Sequence, residues 1–173
     1  MLFNIGSLYS QLGARQDRLQ GEGLDRAVDS YLRAAGIFQF IKENFLPGPS
    51  SDLEPPCLAV LVQLMLSQAG ECLLEKAVLG GKHSSTELSG EAAHISTSYE
   101  HLLHSMVVCG YFPLYWLGLL RVKREHYLAL ADYYAALAIV TDTDTHHQSR
   151  YLGQDFSTIL IISLFSFLQE KPI

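Results

Sequence analysis

Seven histidines and three cysteines are the side chains here best suited to metal binding, nucleophilic attack or proton transfer. His101 and His104 stand three apart, so on a helix they share a face and are placed to bind one metal ion. A zinc site needs further donors converging on the same point, and no carboxylate or thiol stands at a diagnostic spacing from this pair. His83, His94 and His126 stand singly, while His146 and His147 follow the run TDTDT and read as a solvated loop. Cys57, Cys72 and Cys109 are odd in number, widely spaced, and each lies in an apolar run. A disulfide framework or zinc site is expected to show an even set or close pairs. The three therefore read as free, buried thiols of a reducing compartment. A Cys–His dyad forms only in the fold, yet no cysteine stands at an exposed helix start or beside a fixed base. GxSxG, HExxH and a phosphate-cradling Gly-rich loop are absent from the sequence. A non-enzymatic chain without metal or cofactor is expected.

The other route to function is binding. A partner's amphipathic helix docks in an apolar groove between two helices, and flanking charges fix its direction. Glu71, Cys72, Leu73, Leu74, Glu75 and Lys76 supply both kinds of residue. The same stripe is equally what a core-facing helix would carry, so groove and core both stay open at this point.

Bulk properties narrow the partners. With 173 residues, the chain is long enough for one domain with a sizeable core. Its 49% hydrophobic and 17% charged content excludes intrinsic disorder. The net charge of -6 argues against nucleic acid, whose phosphates need a basic face, and against a membrane binder held mainly by charge. The first residues, MLFNIGSLYSQLG, carry no basic leader or small-residue cleavage site. The most apolar stretch, Ile159 to Leu168, is far shorter than the roughly 20 residues of a spanning helix. A cytoplasmic protein without a transmembrane segment is expected.

The elements that must position any binding face are helical. One helix is predicted from about Leu2 to Leu19, with Phe3, Ile5, Leu8, Tyr9 and Leu12 on an apolar face. It ends in the polar cluster Arg15 to Arg18, and Gly21 and Gly23 break it. A second spans about Glu22 to Phe45, where Leu24, Ala27, Val28, Tyr31, Ala34, Ala35, Phe38 and Ile41 recur at helical steps. Pro47, Gly48 and Pro49 end it. A third begins near Glu54, with Ser51 or Asp52 as N-cap and Pro55 and Pro56 in the first turn. Gly80 and Gly81 stop it. Because Leu58 to Leu66 is apolar almost all round, this helix is predicted to lie in the middle. The fourth covers about Ser84 to Val108 and the fifth about Pro113 to Val140, with Trp116, Leu119, Leu120, Tyr127, Leu130, Tyr134 and Leu137 in its stripe. Long helices joined by short turns pack antiparallel. The fold class is therefore all-α, a short solenoid or bundle.

Several runs then match a known pattern in order. LFNIGSLYSQLGARQDR from Leu2, EGLDRAVDSYLRAAGIFQFIKENF and LVQLMLSQAGECLLEKA resemble consecutive segments of a BRO-type domain, the family of the sorting adaptor Alix and of the rhophilins. GARQDR and the later YWLGLLRVKREHYLALADYYAALAIV are most like the rhophilins. The resemblance runs from about Leu2 to Val140. It implies a tetratricopeptide-like solenoid and a scaffold role in Rho GTPase signalling to the actin cytoskeleton, or in endosomal sorting. In the sorting members a groove takes the C-terminal helix of an ESCRT-III subunit. By position Leu73 and Lys76 match residues of that groove and Leu88 matches a third. Ser84 stands where those members have an apolar residue. A rhophilin binds Rho through a coiled coil preceding this domain, so the resemblance implies Rho binding only through regions absent here. It also implies a cytoplasmic protein recruited to endosomes.

The expected organisation is a partial BRO-type domain over residues 1–148 and a divergent apolar tail over residues 149–173, as in a truncated fragment or isoform. FSTILIISLFSFL in the tail reads as strand or short helix. Exposing its large apolar residues would forfeit on the order of 12–24 kcal/mol of burial. Folding back on the helices, pairing with another chain, or aggregation is expected.

Overall fold

A computed structural model of the chain describes residues 1–45 and 53–143. Five helices follow in order: α1 (Leu2–Ala14), α2 (Gly21–Asn44), α3 (Pro55–Gly80), α4 (Ser85–Cys109) and α5 (Leu114–Thr143). No strand occurs among the described residues. The proposed caps Ser51 and Asp52, the histidine pair His146 and His147, and the tail lie outside them.

The helix ends follow from local chemistry. Pro55 and Pro56 occupy the first turn of α3, where a missing amide costs no helical bond. Gly81 stops α3 with φ 60° and Gly110 stops α4 with φ 66°, a left-handed conformation that glycine adopts without strain. Ser84 caps α4 through a reciprocal box: its hydroxyl accepts from the Glu87 amide at 3.2 Å, and the Glu87 carboxylate accepts from the Ser84 amide at 2.8 Å. Ser84 thus starts α4.

Each helix packs on the next in the chain, and paired contacts give the direction. Gly6 faces Phe38 and Gly13 faces Tyr31, so α1 and α2 run antiparallel. Tyr99 reaches Glu71 and Cys109 reaches Cys57, so α3 and α4 do likewise. Ser89 donates to the Ala131 carbonyl and Ser96 to that of Arg124, which sets α4 antiparallel to α5. Two apolar clusters result. One joins Leu24, Ala27, Tyr31 and Phe38 of α2 to Leu58, Met65, Ala69 and Cys72 of α3. The other joins Val60 and Leu74 of α3 to Tyr99, Leu102 and Met106 of α4 and Leu120, Tyr127 and Leu130 of α5. Contributing to both, α3 is the central helix, as its all-round apolarity predicts.

Helix α1 departs from expectation. Its large apolar residues Ile5, Leu8 and Leu12 face solvent, and the residues it buries are Gly6 and Gly13. A Cβ at Gly6 would stand 2.8 Å from the Phe38 ring, and one at Gly13 3.0 Å from that of Tyr31. The two glycines form a notch into which α2's aromatic rings insert, and the half-buried Phe3 and Tyr9 pack beside it against the α2–α3 core, so α1 docks by its two glycines together with two of its five predicted apolar residues.

Among the described residues, α3 is the one helix long and apolar enough to cross a membrane by length and composition. Contact with α2 and α4, and two buried glutamates on its surface, mark it as a core helix.

Candidate partner-binding face

The six residues from Glu71 to Lys76 separate into two groups once α3 is folded. Leu73 is 54% exposed, and Lys76 is also exposed. Cys72, Leu74, Glu71 and Glu75 are buried. The charges expected to flank a groove are therefore core groups in the case of Glu71 and Glu75, a correction that helical geometry explains. Positions 71, 72, 74 and 75 lie on the side facing α2 and α4, and positions 73 and 76 on the other.

Burying two carboxylates on one helix demands partners. Arg18, from the α1–α2 connection, places Nε 2.7 Å from Glu75 Oε2 and a terminal nitrogen against Glu75 Oε1 and 3.7 Å from Glu71. Lys123 of α5 places Nζ 2.5 Å from Glu71 Oε1, and the Tyr99 hydroxyl of α4 donates to the same oxygen at 2.5 Å. Lys123 also lies over the Tyr99 ring, 5.4 Å from its centroid. Burial alone would raise the Glu71 carboxyl, but the Lys123 and Arg18 charges outweigh it and hold Glu71 below its ordinary range. Burial raises Glu75 above its usual range despite Arg18. Burial would lower Arg18, and the two carboxylates reverse this and raise it. The Cys72 thiol beneath them is pushed up to about 12 by burial. This cluster pins the rotation of α3 from three elements, the α1–α2 connection, α4 and α5, and so fixes which residues α3 presents outward.

The outward side carries Leu66 and Leu73, seven residues apart and both about half exposed, with Lys76 one turn beyond Leu73, while Leu79, also half exposed, lies in the last turn of α3 above the buried Cys72 and Glu75. Lys76 Nζ lies 2.5 Å from Asp25 of α2, an exposed pair. Leu88, the third expected groove residue, is 9% exposed and packs in the α3–α4–α5 core. Leu73 and Lys76 thus share one surface, while Leu88 belongs to the α3–α4–α5 core. Sequence pattern alone missed Arg18 and Lys123 as partners of α3. The available signal was an i,i+4 pair of glutamates in a helix otherwise almost without charge.

The histidines form no such constellation. His101 and His104 line an open groove of about 610 Å³ with Glu100, Leu103 and Arg121. Among the described residues no group of three His, Cys, Asp or Glu is placed to hold a metal. His126 packs edge-on against Tyr127 at 5.0 Å, and burial lowers its pKa below the ordinary histidine value.

Comparison with known proteins agrees with this geometry. The chain is 38% identical to Rhophilin-2 from Homo sapiens over 166 residues, 89% of its length and 24% of the relative's. It is 40% identical to Rhophilin-1 from Mus musculus over 148 residues, 80% of its length and 23% of the relative's. The chain thus spans about a quarter of the length of the curated relatives it matches. Two solved structures share the fold. ALIX in complex with a SIVmac239 late-domain peptide superposes with TM-score 0.76 at 24% identity, over 99% of this chain and 25% of that one. The complex of the ALIX BRO1 domain with CHMP4C gives TM-score 0.76 at 23% identity, over 98% of this chain and 54% of that one. The profile of the BRO1-like domain covers residues 1–154, and by that match the chain belongs to the BRO1-like domain family.

Proposed function

We propose that this chain is a non-catalytic protein-interaction module of the rhophilin kind, contributing to a scaffold in Rho GTPase-linked signalling to the cytoskeleton. The observation that carries this reading is the outward side of α3. Leu66 and Leu73 stand half exposed on one side of a helix whose other sides are core. A rigid helix with an unfilled apolar side and an adjacent cation suits capture of another helix. Family membership and likeness to the rhophilins point the same way. Rho itself is assigned to regions of a rhophilin outside these residues.

A second reading takes the C-terminal amphipathic helix of an ESCRT-III subunit as the partner, with recruitment to endosomes. The solved ALIX BRO1 complex with CHMP4C favours it, as does the structure describing endosomal targeting by the Bro1 domain. Leu73 would bury against the partner's apolar face, contributing roughly 1.5–3 kcal/mol if fully covered. Lys76 would meet a partner carboxylate. Its present pair with Asp25 is exposed, and such pairs contribute about 0–1 kcal/mol, so exchange costs little. Leu88 would seat α4 from below without touching the partner. Titration of the purified chain with such a helix tests this reading. Leu73→Asp is expected to weaken binding at least tenfold, and equal affinity of the two proteins would remove Leu73 from the interface.

A further inference from the structure

Two of the three cysteines, far apart in sequence, meet in the fold. Cys57 lies in the first turn of α3, and Cys109 is the last residue of α4. Antiparallel packing brings these ends together, and the two Sγ atoms stand 2.7 Å apart. A disulfide bond joins sulfurs at about 2.03–2.05 Å, so little movement separates the thiols from a bond. Cys57 is buried, whereas Cys109 is partly exposed at the helix end beside the turn glycine Gly110.

From this geometry we infer that Cys57 and Cys109 form a redox-sensitive pair that closes a disulfide between α3 and α4 when a peroxide is present. Cys109, the sulfur that solvent reaches, attacks a peroxide oxygen as its thiolate. The O–O bond breaks, Cys109 becomes a sulfenic acid, and the leaving oxygen departs with a proton as water. Cys57 then attacks the Cys109 sulfur. An S–S bond forms, the S–OH bond breaks, and a second water carries away the hydroxyl and the Cys57 proton. Two thiols are oxidised by two electrons and one hydrogen peroxide is reduced to two waters. Cys72 takes no part. It is fully buried, and its thiol, held up at about 12, offers almost no thiolate.

The closed ring contains all of α3 beyond its first turn and all of α4, including Leu73 and Lys76. It therefore ties together the two ends of the α3–α4 pair opposite the Gly80–Gly81 turn. Such a bond restricts the unfolded chain and raises thermal stability.

The test uses the whole chain. It is treated with graded hydrogen peroxide, alkylated under denaturing conditions, and digested for peptide mass mapping. The expected result is a cross-linked peptide pair joining Cys57 to Cys109, lighter by two hydrogens, with Cys72 alkylated throughout. Non-reducing electrophoresis should show a monomer, and the oxidised protein should melt several degrees higher than the reduced one. In Cys57→Ser the resolving sulfur is gone, so Cys109 sulfenic acid should accumulate and react with dimedone. The wild-type peptide map stands even if that variant folds poorly. Conversion of Cys109 to sulfinic acid with Cys57 still alkylated would overturn the inference, as would a disulfide involving Cys72 or one between two chains.

Discussion

The side chains that hold this fold in register are charged ones. Glu71 is buried between Lys123 and Arg18, and neither cation alone matches both of its oxygens. Lys123→Met keeps the apolar stem but removes the cation nearest Glu71, leaving Arg18 at 3.7 Å and the Tyr99 hydroxyl, and breaking a buried pair this way costs up to about 3–5 kcal/mol. Urea unfolding should register that loss, and a loss below 1 kcal/mol would place Glu71 in contact with solvent. His126 gives a pH dependence. Burial lowers its pKa in the fold below the ordinary 6.5, so between the two values the unfolded chain binds more protons. Stability is then complete above about pH 6.5 and falls as the pH drops through that value toward the folded pKa. The melting temperature should decline across this window, and less steeply in His126→Gln. A slope that His126→Gln leaves unchanged would exclude the imidazole as its source. These roles were only partly legible in sequence. The Glu71–Glu75 spacing shows two acids on one helix side, but nothing local says which side faces inward. The deciding partners, Arg18 and Lys123, lie 57 and 52 positions away from Glu75 and Glu71.

At the scale of elements, sequence pattern sufficed where apolar residues repeat and failed where small ones do. The α2 stripe from Leu24 to Ile41 is buried as its periodicity predicts, and so are Leu120, Tyr127, Leu130 and Tyr134 of α5. In α1 the pattern holds for Phe3 and Tyr9, which pack on the core, and fails for Ile5, Leu8 and Leu12, because it weights large side chains whereas close approach at Gly6 and Gly13 sets how the helix docks. Glycine carries similar weight at the start of α2. A Cβ on Gly23 would lie 1.8 Å from the Asp17 carbonyl oxygen, a backbone atom that moves only with the whole connection. That connection carries Arg18 to Glu75, so Gly23→Ala should strain the turn and loosen the buried cluster together, destabilising by about 1–3 kcal/mol. Gly21 meets nothing within 4 Å, and Gly21→Ala should be neutral or stabilising by up to about 1 kcal/mol. Thermal melts of the two variants separate these outcomes, and equal effects would mean that contact at Gly23 is not the cause. In the sequence Ser84 stands at the start of the fourth helix and, by the resemblance, in place of an apolar groove residue. Its capping box with Glu87 supplies a local reason for serine there, independent of any partner.

At the scale of the whole molecule, five helices in chain order leave α3 covered on two sides and open on a third. Its solvent side shows Leu66 and Leu73, while the buried ionic cluster prevents α3 from rotating them inward. Sequence alone favours core over groove for this stretch without excluding either, because one period of apolar residues serves both purposes and is more often core. Folding divides it, with Cys72 and Leu74 in the core and Leu73 and Lys76 outside. Amide hydrogen exchange of the chain with and without a saturating ESCRT-III C-terminal helix tests the partner face most directly. Added protection is expected along α3 from Leu66 to Leu79, with α1 and the outer side of α5 unchanged. Protection confined to α1 or α5, or none at saturating helix, would contradict the assignment of α3 as the partner-binding face.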